Sequence, residues 1–167
     1  TDDTDLKAAQ RLRYRVFVEE LGGDGLMVDH EARLERDEFD PVVDHLVLID
    51  RRRDPAALDH VVGVYRLLPS DRAADFGRFY CDSEYDLSRL KASGRPLLEL
   101  GRSCVLPDYR GGAGLFLLWN GLSEYVLNRE VEILFGVASF HGTDAAPLAQ
   151  PLSWLHHNHL APEALRP

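Results

Sequence analysis

Hydrophobic residues recur at helical spacing near the start of the chain. Thr4 and Asp5 can cap a helix there, and Gly22-Gly23 supply a stop signal. The positions between them that share one helical face are Leu6, Ala9, Leu12, Val16 and Phe17. We therefore predict an amphipathic first helix. The stretch from Gly22 to Asp40 is polar, acidic and glycine-bearing, which predicts a long loop of the kind that often carries function.

Two apolar runs joined by a turn predict an antiparallel hairpin. The first is "DHLVLID", Asp44 to Asp50, and the second is "HVVGVYRLL", His60 to Leu68, with "RRRDPAALD" between them. Residues 70 to 95 show no clear period. We predict irregular chain there, with a short helix near Ser83 to Leu90.

The remaining pattern predicts a strand, a helix, a second strand and a last short helix. The strand covers Pro96 to Leu106, and the amphipathic helix covers Gly111 to Asn128. Val131 to Phe140 is apolar on both faces, which is typical of a central strand, and "PLAQPLSWLHHNHL" is the last helix. The order α, β, β, β, α, β, α predicts a mixed α/β fold. Without a repeat or a linker, we expect one domain over residues 1–167.

Composition narrows the classes of partner and compartment. Hydrophobic residues make up 45% of the chain, as in globular proteins, and the net charge is -9. Such acidity argues against binding the phosphate backbone of nucleic acid, and the run Arg51 to Arg53 is interpreted as a solvated loop. Cys81 and Cys104 form no disulfide framework, which favours a reduced, cytoplasmic location. We expect no signal peptide, and no apolar run approaches the ~20 residues that span a bilayer.

The stretch "LELGRSCVLPDYRGGAGLFLLW", Leu98 to Trp119, indicates a site. It places Glu99 and Arg102 in an apolar strand and then runs through glycines into a helix. Backbone N–H groups at such a helix start can bind an anion, although a plain tight turn gives the same pattern.

This order of elements, with "VLPDYRGGAG" between strand and helix, resembles the GNAT acyltransferase fold. That resemblance implies a central, mostly antiparallel mixed sheet flanked by helices. In GNAT enzymes a Q/R-x-x-G-x-G/A loop holds the pyrophosphate of CoA, whereas counting from Arg110 places Ala113 and Leu115 at the glycine positions. The departure favours a donor whose pantetheine lacks the nucleotide, namely acyl carrier protein. We therefore expect no bound cofactor, with the acyl carrier protein thioester as co-substrate.

Two GNAT-like families use that donor, and the chain is similar to both. Acyl-homoserine-lactone synthases share R-x-x-V-F, E-x-D-x-[FY]-D, R-L-L and E-x-x-R, which here begin at Arg13, Glu35, Arg66 and Glu99. Their tryptophan after the first helix is replaced by Gly22-Gly23. The ornithine-lipid N-acyltransferase family, often labelled hemolysin-like, matches more closely through "RYRVFVEELG", "FYCDSEYDLS", "LELGRSCVLPDYR" and "LSWLHHNHLAPEALRP".

The closer resemblance implies a reaction and also a set of additional strands. That family joins a 3-hydroxyacyl group from acyl carrier protein to the α-amine of ornithine, the first step of ornithine lipid synthesis. It also has a strand before the first helix and further strands after "LRP". We thus expect a domain that lacks edge strands at both ends and that contacts the inner membrane peripherally through its lipid product. A lactone synthase-like or N-acyl amino acid synthase activity, and a non-catalytic GNAT-like binding module, remain alternatives.

Attack of an amine on a thioester requires a base, and Glu99 is the candidate, acting directly or through a water. The alternative is a structural ion pair between Glu99 and Arg102. Arg102 is expected to orient Glu99 or a substrate carboxylate. GNAT-like folds splay their strands near Ser103 to Leu106. We therefore expect the oxyanion donors to be backbone N–H groups there, those of Ser103, Cys104 and Val105 included.

The lactone-synthase resemblance also implies a set of substrate-binding residues in the first half of the chain. They are Arg13, Phe17, Asp37, Asp40 and Arg66. The two arginines are expected either to lock the acidic loop over the substrate or to form a surface ion-pair network. Asp37, Asp40 or Asp44 can pair with the side-chain ammonium of ornithine, and Arg110 is expected to help dock the carrier.

The histidines suggest a metal site at first sight. His156 and His159 lie one helical turn apart, with His157 beside them and His141 upstream. Without HExxH or a cysteine partner we predict no metal. Cys104 is interpreted as a packed core thiol rather than a nucleophile.

Overall fold

The first helix follows its predicted pattern, with a different cap. The computed structural model describes residues 2–140 and 144–167. Helix α1 covers Asp3–Arg13, and the side chain of Asp2, rather than Thr4 or Asp5, accepts the backbone N–H of Asp5 while the Asp5 side chain reaches back, which forms a capping box. From Tyr14 to Glu20 the winding becomes that of a π-helix. Gly22, at a φ of +72°, follows in the left-handed region.

The predicted loop between residues 22 and 40 contains a small ribbon. Strand β1, Val28–Asp29, pairs antiparallel with β2, Leu34–Glu35. A two-residue strand is too short to show alternation in the sequence. The ribbon carries the acidic segment back towards α1.

A four-stranded sheet forms the centre of the fold. Its strands are β3 (Asp44–Ile49), β4 (Val61–Pro69), β5 (Leu97–Val105) and β6 (Ile133–Phe135), in the order β3-β4-β5-β6. The first three are antiparallel and confirm the predicted hairpin, while β6 runs parallel to β5. The prediction of a long central strand over residues 131–140 is wrong, since β6 has three residues and lies at the edge of the described sheet.

Helices cover both faces of this sheet. Helix α4, Ala113–Asn128, packs Leu118 and Leu122 on one face, where Gly63 allows close approach because a Cβ there would lie 3.0 Å from Leu118. On the other face α1 packs on β4. Among the described residues, no helix is both long and apolar enough to cross a membrane.

The segment between β4 and β5 is more helical than its sequence predicts. Helix α2, Ser70–Phe76, ends at Gly77, which has a φ of +100°, and α3 covers Ser88–Ala92. Seven and five residues are too few to reveal a helical period. A single 3₁₀ turn, Cys81–Ser83, lies between them, and the final helix α5, Ala149–His159, lies exposed on the surface.

A bulge in β5 prepares the site. Val64 pairs with Cys104 and Arg66 with Gly101, so two residues of β5, Arg102 and Ser103, oppose the single residue between them on β4. Arg102 has a φ of +48°, which is unusual for any residue but glycine. Pairing of β5 with β6 runs only from Leu97 to Glu99, so the rest of β5 has no partner strand on that side among the described residues. This divergence opens a cavity.

Candidate active site

The cavity lies beside the free edge of β5 and has a volume of about 420 Å³. Glu99, Arg102 and Ser103 line it from the strand, and Arg66 lines it from β4. Most of its wall is apolar or aromatic, formed by Phe17, Leu21, Phe39, Val43, Leu68, Tyr80, Leu100, Val137 and Phe140. An apolar pocket with a few convergent polar groups is suited to a ligand with an acyl chain and a polar reacting end.

Two backbone N–H groups hold the carboxylate of Glu99. Tyr80 donates to Oε2 at 2.8 Å and Cys81 donates to Oε1 at 2.7 Å. Glu99 is only 4% exposed, yet it lines the cavity. Each carboxylate oxygen has a second lone pair, so Glu99 retains the capacity to accept a proton or a hydrogen bond from a ligand.

Arg102 pairs with Glu35 rather than with Glu99. Its Nε lies 3.1 Å from Oε1 of Glu35, and its guanidinium carbon lies 5.8 Å from the ring centre of Phe17 and 5.6 Å from that of Tyr80. The predicted alternative of a Glu99–Arg102 ion pair is therefore wrong. The side chain of Arg102 makes no hydrogen bond to residues 2–140 or 144–167, so its terminal nitrogens remain available to an anionic group in the cavity.

A buried ion-pair network lies under the cavity. Arg13 is 0% exposed and donates from Nε to Glu35 at 2.5 Å, and from two other nitrogens to Asp40 at 2.8 and 2.7 Å. Arg66 donates to Asp37 at 2.6 Å and to Asp40 at 3.0 Å. The predicted alternative of a surface network is wrong, because both arginines are buried. The network ties the acidic segment to α1 and β4.

The electrostatics of the network favour the charged state of Asp40. Burial by itself would raise the pKa of Asp40, but hydrogen bonds and charges from Arg13 and Arg66 outweigh that effect and lower the pKa from 3.8 to about 2. Gln10 adds a hydrogen bond of 2.9 Å. Because Asp40 already has four partner contacts and does not line the cavity, it is not free to bind the ammonium of ornithine.

Asp44 and Asp37 differ from what the pattern predicts for an ammonium site. Asp44 accepts from the hydroxyl of Tyr125 at 2.7 Å and pairs with Arg72 at 2.9 Å. Asp37 bonds to Arg66 and to the backbone of Phe39, and it faces neighbouring surface grooves rather than the cavity. None of the three predicted aspartates therefore reaches the cavity.

Gly114 stands at the start of α4 for a packing reason. A Cβ on Gly114 would lie 2.5 Å from the backbone oxygen of Tyr109, so no side chain fits. Gly111 and Gly112 take left-handed φ angles of +89° and +64°. The conformations of these glycines are therefore explained by the turn itself, as in the alternative of a plain tight turn, and Ala113 and Leu115 lie exposed at the start of α4.

The comparisons with known proteins identify the family. Residues 12–120 match the acetyltransferase (GNAT) domain family, which is more than half of the chain. The chain belongs to the GNAT acetyltransferase family. It is 69% identical over 166 residues to the L-ornithine N(alpha)-acyltransferase of Rhodobacter capsulatus, covering 99% of this chain and 64% of that protein. The relative of the same name from Brucella abortus is 43% identical, with 92% of this chain and 55% of that protein covered.

Solved structures of similar fold include two lactone synthases. The CoA-dependent acyl-homoserine lactone synthase BjaI, with SAM and isopentyl-CoA, has a TM-score of 0.58 at 23% identity, covering 89% of this chain and 64% of that one. The AHL synthase LasI has a TM-score of 0.58 at 18% identity, covering 92% and 72%. These matches confirm the predicted GNAT fold, and the curated relatives confirm the resemblance to the ornithine acyltransferases. The chain spans about half to two thirds of the length of the curated relatives it matches.

Within this GNAT domain, three further predicted site residues also lie away from the cavity, namely Cys104, Val105 and Arg110. The thiol of Cys104 is buried in the core against α1, and burial raises its pKa to about 12, in agreement with a core thiol and against a direct role in binding. Arg110 donates two hydrogen bonds of 2.6 Å to the carboxylate of Glu20 and one of 2.9 Å to the backbone oxygen of Val105. These contacts neutralise the charge that we expected to serve carrier docking. Of the predicted oxyanion donors Ser103 to Leu106, only Ser103 lines the cavity.

Several residues that build the site were absent from the predicted set. Glu35 joins Arg13 to Arg102, and the N–H groups of Tyr80 and Cys81 hold Glu99. A signal for Glu35 existed, since it is the first residue of the E-x-D-x-[FY]-D motif. The backbone donors had none, because a main-chain N–H is present at every position except proline.

The histidines take no part in the described site. His156, His157 and His159 lie on the exposed helix α5, and His141 lies outside the described residues. Residues 2–140 and 144–167 contain no group of three or more side chains placed to hold a metal ion.

Proposed function

We propose that this GNAT protein is an N-acyltransferase that moves a 3-hydroxyacyl chain from acyl carrier protein to the α-amine of ornithine, the first step of ornithine lipid synthesis. The observation that carries the proposal is the buried carboxylate of Glu99 in the wall of a largely apolar cavity, next to the free end of Arg102. The name and the 69% identity of the Rhodobacter capsulatus relative support ornithine as the acceptor.

The proposed chemistry begins with the acceptor. The α-ammonium of ornithine gives a proton to Glu99, directly or through a water, and the resulting amine attacks the thioester carbon. Arg102 is placed to bind the carboxylate of the same amino acid, because its guanidinium is held on one side by Glu35 and faces the cavity on the other. Both substrate groups lie on one carbon, which suits their recognition by neighbouring residues of β5.

The tetrahedral intermediate then needs a donor for its oxyanion. Ser103 lines the cavity and is the first candidate for this donor. Val105 does not line the cavity, but Leu106 donates to the oxygen of Val62 at 2.9 Å and the N–H groups of a strand alternate in direction, so the N–H of Val105 points away from β4 towards the free edge. The bulge at Arg102 and Ser103 leaves further backbone groups near the cavity. Collapse of the intermediate breaks the carbon–sulfur bond and forms the amide. The attacking nitrogen gives up its second proton to the departing pantetheine thiolate, and the first proton passes from Glu99 to solvent before the next turnover.

The proposed donor is the carrier protein rather than CoA. The loop from Arg110 to Leu115 lacks the glycine register of a pyrophosphate loop, and Gly114 is fixed by the Tyr109 oxygen rather than by a ligand. BjaI is a CoA-dependent enzyme of similar fold, so the fold by itself does not choose the donor. We propose that the enzyme acts in the cytoplasm and contacts the inner membrane peripherally through its acylated product.

The test is mass spectrometry of the products from the purified protein. We expect an N-acylated ornithine when 3-hydroxyacyl carrier protein and ornithine are supplied, and no product with ornithine methyl ester, which lacks the carboxylate for Arg102. The kcat/KM for one acyl chain should be higher on the carrier than on CoA. A lactone formed with S-adenosylmethionine would favour the lactone-synthase alternative, and no product with any amine would favour a binding module. Equal or better use of the CoA thioester would overturn the choice of donor.

A further inference from the structure

We infer that Asp82 is a positioning residue for Glu99, a role that rests on the proposed function. Asp82 does not touch the cavity. It acts through the turn that follows Phe79, whose backbone supplies both N–H groups that hold the Glu99 carboxylate.

Two main-chain N–H groups hold the Glu99 carboxylate, with the thiol of Cys81 beside them. Tyr80 and Cys81 are adjacent in the chain, and their N–H groups take one carboxylate oxygen each, at 2.8 and 2.7 Å. Within residues 2–140 and 144–167, Glu99 has no side-chain cation as a partner. The direction of its carboxylate therefore depends on the position of a turn that is 18 and 19 residues away in sequence.

Asp82 fixes that turn from its first residue. Its Oδ2 accepts the backbone N–H of Phe79, three residues earlier in the chain, at 2.8 Å. Lys91, from α3, holds the same carboxylate with contacts of 2.6 and 2.7 Å. Asp82 therefore links the turn to α3 through hydrogen bonds to both.

Packing makes the turn responsive to this anchor. Phe79 is 4% exposed and lies edge-on to Phe135, with ring centres 5.0 Å apart. Phe135 is in turn the partner of Glu99 in the pairing of β5 with β6. Without the Asp82 carboxylate, the N–H of Phe79 would lose its acceptor next to this contact, and the turn would shift until the N–H finds another one. A shift of about 1 Å in a reacting group can cost ~100-fold in rate.

The experiment compares Asp82→Ala with Asp82→Asn and with a matched control. We expect Asp82→Ala to lower kcat by about 10- to 100-fold with little change in KM for ornithine. Asp82→Asn should recover most of the loss, because its amide oxygen can still accept from Phe79. The control is Asp86→Ala, since Asp86 caps the backbone N–H of Ser88 at 2.9 Å in the same segment and has no link to Glu99.

A double-mutant cycle separates positioning from general loss of structure. If Asp82 acts through Glu99, Asp82→Ala should cost nothing further in a Glu99→Gln background. The role of Asp82 would be overturned if the double variant lost kcat by the product of the two single losses. It would also be overturned if Asp82→Ala lowered kcat no further than Asp86→Ala does. Wild-type turnover in Glu99→Gln alone would instead overturn the proposed function. If Asp82→Ala does not fold, Asp82→Glu moves the carboxylate by one methylene and gives the same comparison.

Discussion

Removing the charge of Asp40 should destabilise the protein in a way that depends on pH. Asp40 is 5% exposed, and Arg13 and Arg66 hold its pKa at about 2 instead of 3.8. At 1.36 kcal/mol for each factor of ten in proton affinity, this lowering stabilises the fold by roughly 2 kcal/mol at neutral pH. Breaking a buried ion pair by removal of one partner costs ~3–5 kcal/mol in other proteins. We therefore expect Asp40→Asn to lose about 2 to 4 kcal/mol of unfolding free energy at pH 7.

The sign of the pH dependence follows from the lowered pKa. The contribution of Asp40 is fully present above its ordinary pKa of 3.8 and is lost as the pH falls towards and through about 2. At pH 3 roughly half of this contribution remains, so the gap in unfolding free energy between wild type and Asp40→Asn should shrink by about 1 kcal/mol from pH 7 to pH 3.

Urea unfolding followed by far-ultraviolet circular dichroism measures this gap. Tryptophan fluorescence is a weaker probe, because Trp119 and Trp154 are half exposed in the folded state. The control is Glu38→Gln, which removes an exposed carboxylate of the same loop that pairs with Arg78 and should cost under ~1 kcal/mol. An Asp40→Asn loss as small as that of Glu38→Gln, or a gap that is the same at pH 3 and pH 7, would refute the account of a buried stabilising network.

Three further predictions test the cavity residues and the loop before α4. Glu99→Gln should lower kcat by ~10²–10⁴-fold, and a turnover assay with wild-type kcat would contradict the role of Glu99 as the base. The same change should reduce the free energy of unfolding in urea by ~1–3 kcal/mol, because one of the two backbone donors would face an amide N–H. Arg102→Gly should be more stable than Arg102→Ala by ~1 kcal/mol, because only glycine takes a φ of +48° freely. Both variants should lose ornithine binding. Equal free energies of unfolding would contradict the backbone strain at this position. Gly114→Ala should cost ~1–3 kcal/mol through the 2.5 Å approach to Tyr109, whereas Gly101→Ala, with nothing within 4 Å, should cost less than half as much.

The ion-pair network and the cavity have separate tasks. Arg13 and Asp40 lie beneath the wall and fix the acidic segment, whereas Glu99 and Arg102 form part of the wall itself. Glu35 and Arg66 connect the two levels, since Glu35 contacts both Arg13 and Arg102, and Arg66 both bonds to Asp40 and lines the cavity. Changes in the network should therefore alter stability first and activity only through these two residues.

The sequence by itself determined the order of the main elements and the address of the site. Long stretches with a clear period, such as α1, β4, β5 and α4, formed where the pattern predicts them. Burial of one face is the dominant force on such segments, so the period of apolar residues is sufficient to identify them. A lone carboxylate and a lone guanidinium in the apolar strand "LELGRSCVL" pointed to the same place for the same reason, since neither charge is buried without a partner or a function.

Only the tertiary structure decided which groups are partners. Glu99 and Arg102 are three residues apart, which places them on opposite faces of a regular strand, and the bulge at Arg102 and Ser103 is what lets both line one cavity. Arg102 then pairs with Glu35, and Glu99 with the backbone of Tyr80 and Cys81. Such choices depend on distances of about 3 Å between segments far apart in the chain. A pattern of residue types does not contain them, because hydrogen bonds are satisfied by whichever donor the fold brings within reach.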